Sequence, residues 1–142
     1  MNTVITYIFG TIVTTIYIYI SFISRSMSKS RYRFRKVSAL ISLILGGLID
    51  YAKIYSKPFG FFLICGMGPL IYLTYYELFR RLYRPWIGGF PYAPYRERKG
   101  QKVFGKGYPK SRVVNNIDYL FAISMYLFPI LTVIILLTLI EK

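Results

Sequence analysis

The residues of this chain that could do chemistry are few and far apart. Residues 100–107, "GQKVFGKG", follow the spacing G-x-x-x-x-G-K of a phosphate-cradling loop and then break it. Gly107 stands where a Ser or Thr would offer its hydroxyl to magnesium. Pro109 opposes a helix start, and the preceding "YRERKG" makes a poor strand, so the strand–loop–helix setting is missing. Nucleotide hydrolysis is not specified. Asp50 closes the apolar run "ISLILGGLID". An acid inside a membrane is costly and marks proton or ion paths, yet a place near the end of the run lets it pair with Lys53 or reach the interface. Cys65, in "ICGMGP", has no basic neighbour to activate it and reads as a packing residue. Glu77 precedes Arg80 and Arg81 by three and four positions, the spacing of a local ion pair.

Histidine is absent, which removes the commonest general base and metal ligand together. The 5 acids fall singly, forming neither an acid–base pair nor a metal set. One cysteine allows no internal disulfide. The expectation is a protein with no catalytic residue, metal or cofactor, and hence not an enzyme.

Binding chemistry is better represented. Lys and Arg total 19, giving a net charge of +14. Arg31, Arg33 and Arg35 lie in the segment 25–36, and Arg96, Arg98, Lys99, Lys102, Lys106, Lys110 and Arg112 in the segment 80–116. These are the candidate contacts for a polyanion or a protein partner. Aromatic residues interleave with the second group: Tyr83, Trp86, Phe90, Tyr92, Tyr95, Phe104 and Tyr108. Bases stack on such rings while cations neutralise phosphates, so nucleic acid is one reading. The same pattern suits a membrane interface, where Trp and Tyr gather and each basic residue attracts anionic headgroups by about 1 kcal/mol. In "LYRPWIGGFPYAPY", Tyr83, Trp86, Tyr92 and Tyr95 are expected to anchor at that interface, and the prolines forbid a long helix. The following "RERKGQKVFGKGYPKSR" is freer to reach a partner.

Four apolar stretches must position these segments: 3–24, 37–56, 58–79 and 119–140. The first and last carry no charge. At 1.5 Å per residue such a stretch reaches roughly 33 Å, enough for a hydrocarbon core of about 30 Å. "TIYIYIS" alternates like a strand, but an open strand cannot span lipid. The stretch 3–24 is followed, not preceded, by positive charge, the pattern of a retained anchor. Pro69 and Pro129 fall within the third and fourth stretches and predict kinks. Ser38, Ser42 and Gly46 recur every four positions, a small-residue face on which another helix can pack closely.

With four spans, the basic segments 25–36 and 80–116 share one side, leaving Lys53, Lys57 and Lys142 for the other. The positive-inside rule then places both basic segments in the cytoplasm and both termini outside. Abundant Ile and Tyr with scarce Asn and Gln suit a thermophilic source, and AT-biased codons suit them equally.

The expected molecule is a single-domain, all-α integral membrane protein over 1–142. It has four transmembrane helices and a long irregular basic loop between the third and fourth. Its expected role is a non-catalytic structural or accessory subunit of a larger membrane assembly, such as a respiratory complex, a secretion complex or a membrane-containing virion. Expected partners are anionic lipid headgroups, other membrane subunits including further copies of the chain, and nucleic acid. The alternative is a small transporter or channel using Asp50 and the helix break at Gly66–Pro69.

Overall fold

A computed structural model describes residues 8–10, 12–17, 29–53, 57–88, 91–94, 97–103 and 108–140, without the side chains of 29–31. The described residues are mostly helical and include no strand, only one isolated bridge. In chain order the helices are α1 (Ile8–Tyr17, with position 11 outside the described residues), α2 (Lys29–Tyr51), α3 (Phe61–Leu82), α4 (Arg84–Ile87) and α5 (Asn116–Ile140). Among them α3 and α5, of 22 and 25 residues, are long and apolar enough to cross a membrane. Of the expected first span, residues 3–7, 11 and 18–24 lie outside the described residues.

α2 begins at Lys29, so its first two turns run through basic residues that precede the expected span 37–56. Arg and Lys are good helix formers, and nothing in "KSRYRFRK" breaks a helix. The helix ends at Tyr51, where Lys53 turns the chain with a left-handed φ of 48°. α3 then runs back along α2. The face that α2 turns inward comprises Arg35, Ala39, Ser42, Gly46 and Asp50, all buried. Steps of four, three, four and four follow the helical period more closely than the strict four-residue series, and so Ser38 falls to the flank, half-buried.

Backbone meets backbone at two points of this pair. A Cβ on Gly46 would stand 2.3 Å from the Phe62 carbonyl oxygen, and one on Gly66 would stand 2.5 Å from that of Ser42. Only glycine fits at either point.

α5 packs on α3 through aromatic rings. Phe128 meets Phe79 edge-on at 5.4 Å, and Phe121 meets Tyr76 at 6.1 Å. Two side-chain hydrogen bonds cross the seam, Tyr75 to Thr132 at 2.9 Å and Tyr83 to Ser124 at 3.1 Å. α1 adds Phe9 against Phe62 and Tyr17 against Tyr72. Pro69 and Pro129 sit inside α3 and α5, both fully buried, and together line an apolar groove beside α1.

The outer faces stay uncovered. Only 28% of the most apolar stretch of α5 is buried, and Ile123, Leu127, Ile130, Ile134 and Leu139 stand exposed. The core helix of a water-soluble fold would bury such a surface.

Candidate functional site

The contacts set most of the described basic residues at one end of the bundle, with Lys53 and Lys57 at the other. The start of α2 meets the end of α3 where Tyr32 packs on Tyr76, and the start of α5 meets it where Phe121 packs on Tyr83. Asp50, Gly60 and Ile140 mark the opposite end. At the basic end, Arg33 and Lys36 are exposed on α2, Arg80 and Arg81 on α3, and Arg84 on α4.

Among the described residues, the segment between α4 and α5 holds no strand but carries one antiparallel pairing of its own. Its chain folds back on itself as a short hairpin. The Val103 N–H donates to Arg112 at 2.9 Å, the Val114 N–H to Gln101 at 2.9 Å and the Gly100 N–H to Val114 at 2.8 Å, around an antiparallel bridge between Lys102 and Val113. Alternation does the sorting: Val103 and Val114 point inward, Lys102 and Val113 outward. Tyr92 joins the two valines in a small core of its own, with Tyr108 and Tyr119 packed against it. The Tyr108 hydroxyl donates to the Pro91 carbonyl at 2.9 Å, and the Tyr119 hydroxyl to that of Glu97 at 2.6 Å, which ties the hairpin to both flanks. Burial pushes the Tyr108 phenol above its ordinary range, and the neighbouring Tyr76 and Tyr92 push the same way.

The hairpin is seated on α5 by a reciprocal cap. The Asp118 N–H donates to the Asn115 side chain at 3.0 Å, and the Asn115 N–H returns a bond to the Asp118 carboxylate at 2.8 Å. Arg112 completes the site with an ion pair to Asp118, whose carboxylate is fully buried.

This geometry redistributes the expected contacts. Arg98, Lys99, Lys102 and Lys110 are exposed on the hairpin and Arg33 on α2, where a polyanion could reach them. Arg112 is withdrawn, because its side chain is only 10% exposed and serves Asp118. Arg35 is withdrawn too: it is fully buried on the inward face of α2, near Tyr76. Arg96 and Lys106 lie outside the described residues, as does the side chain of Arg31.

Of the expected interfacial anchors, Trp86 is exposed at 59%, carried by a single helical turn with proline at its start. Tyr92 is instead a core residue of the hairpin, and Tyr83 is half-buried against Phe79 and Phe121. Both rings are taken into apolar contacts that the fold creates between distant parts of the chain. Tyr95 lies outside the described residues, as do Phe104–Gly107 of the near P-loop motif.

The chain matches no known family model, no curated protein and no solved structure.

At the far end, Asp50 receives two backbone bonds from the start of α3. The Phe62 N–H donates to Oδ1 at 3.2 Å and the Leu63 N–H to Oδ2 at 2.7 Å. The acid therefore caps a helix across the α2–α3 turn, a role that sequence reasoning missed because its partners are twelve and thirteen residues away. Among the described residues no three His, Cys, Asp or Glu side chains are placed to hold a metal ion. What the basic end can do chemically is attract anions, through cations displayed on four separate elements.

Proposed function

We propose that the chain is a non-catalytic accessory subunit of a larger membrane assembly. It crosses the bilayer four times through α1, α2, α3 and α5, with the hairpin end on the cytoplasmic or inner side. One observation carries the reading: all the described cations except Lys53 and Lys57 gather at one end of a bundle whose apolar outer faces are left uncovered among the described residues. Lipid or neighbouring subunits must cover those faces, and the positive-inside rule orients the charged end. The two basic segments, far apart in sequence, meet at that end because α2 and α3 are antiparallel.

The hairpin gives the subunit a small folded platform on its inner face. Its exposed cations offer protein partners or lipid headgroups a charged surface. Rings that could have stacked nucleic-acid bases, Tyr92 and Tyr108, are packed against the hairpin's own valines, which favours these partners over single-stranded nucleic acid. Asp50 and Gly66 likewise already serve the α2–α3 contact, which favours a structural role over ion transport.

Purification from its native membrane in a mild detergent tests the proposal. Stoichiometric recovery with other membrane proteins is the expected result. Recovery as a lone monomer with no partner contradicts it.

A further inference from the structure

A groove of about 500 Å³ runs between α2 and α3 on the outside of the bundle. Tyr32, Lys36 and Leu40 line it from α2, at four-residue spacing. Along α3 its wall descends from Arg81 through Glu77 and Thr74 to Leu70. From Leu70 to Arg81 the helix takes eleven steps and rises roughly 16 Å. That matches one leaflet, about half of a hydrocarbon core roughly 30 Å thick.

The groove is chemically two-ended. Lys36 and Arg81 stand exposed at its mouth, at the basic end of the bundle. Glu77 also lies at the mouth, but its charge is already committed: Arg80 pairs with it at 2.9 Å, and the Tyr32 hydroxyl bonds to it. The Lys36 ammonium rests over the Tyr32 ring at 4.7 Å from the centroid. The ion pairs Glu77–Arg80 and Arg112–Asp118 use neither Lys36 nor Arg81, although Glu77 also attracts Arg81 from one turn away. Below the mouth the lining turns mostly apolar, with Leu73 buried and Leu40 half-exposed along the walls.

We infer that this groove is a binding site for one anionic phospholipid. Its phosphate sits between Lys36 and Arg81, and one acyl chain lies along Leu40, Leu73 and Leu70. Charge complementarity at the mouth and a leaflet-deep apolar trough below it select this occupant. A soluble anion would use the mouth alone, and a neutral lipid the trough alone. The site rests on the proposed membrane residence, because only a bilayer aligns the groove with a leaflet.

The test uses the full chain in nanodiscs of phosphatidylglycerol and phosphatidylcholine, with lipids retained on release counted by native mass spectrometry. Wild type is expected to retain phosphatidylglycerol selectively. The double variant K36Q/R81Q is expected to weaken retention by at least about tenfold. K99Q/K102Q removes equal charge from the hairpin, whose cations also face headgroups but lie outside the groove, and is expected to weaken retention clearly less. Thr74→Trp fills the trough without altering charge and is expected to abolish retention too. Equal loss in the groove and hairpin variants would show attraction by surface charge alone and overturn the site, as would retention untouched by K36Q/R81Q. A chain that does not enter nanodiscs at all refutes the membrane reading and the site together, whereas a chain that enters without selective retention refutes the site alone.

Discussion

At the scale of single residues, this protein spends its rare acids on structure. Asp50 accepts two backbone N–H groups across the turn between α2 and α3, and charge-assisted bonds of this kind are the stronger ones. Asp50→Ala should lower stability by about 2 kcal/mol, read as a fall in melting temperature in detergent, with Asp50→Asn keeping part of it. Asp118 is the second case. Arg112→Gln leaves its carboxylate buried without the cation, and hydrogen exchange should show Val103 and Val114 losing protection while α3 keeps its own. Tyr108 links the hairpin to pH. Its folded phenol holds its proton above the ordinary value of 10.0, so its share of stability is complete below that pH and falls as pH rises past it. Near-UV circular dichroism should record hairpin loosening above about pH 10, and Tyr108→Phe should flatten that dependence while costing the bond to Pro91. The cap between Asn115 and Asp118 has a local signal that the sequence reading did not draw on, an Asn followed three residues later by an acid before an apolar run. The roles of Asp50, Arg35 and Arg112 have no such signal, since each depends on what the folded chain brings beside it.

At the scale of elements, the α2–α3 pair is set by glycine. Gly46→Ala pushes a methyl group into the Phe62 carbonyl and Gly66→Ala into that of Ser42, and neither backbone can yield. Each should destabilise the bundle by about 1–3 kcal/mol in a denaturation assay. Gly47→Ala is the control, because its new Cβ meets only a Leu63 methyl at 3.4 Å and should be tolerated. The helical elements were readable from apolar run length, and the small-residue series on α2 pointed to the face that packs. Boundaries were less readable: charge marks the edge of an apolar span at 37, whereas α2 starts two turns earlier among basic residues. For the hairpin, Gly105 and Gly107 around Lys106 allow a turn in the sequence, but nothing local fixes the pairing. Its pairing joins residues 100–103 to 112–114 across a glycine-rich stretch. Its core needs Tyr92 from before that stretch and Tyr119 from α5. No local period in the sequence announces such an assembly.

At the scale of the whole molecule, two basic segments meet at one end of an apolar bundle, and the membrane reading turns that meeting into a topology. Impermeant maleimide labelling of single cysteines in sealed vesicles, on a Cys65→Ser background, tests it most directly. Arg33→Cys on α2, Lys99→Cys on the hairpin and Lys57→Cys at the far end are all exposed. The account predicts that positions 33 and 99 label from one side and position 57 from the other. Labelling of 33 and 99 from opposite sides, or of 57 together with 99, would contradict it.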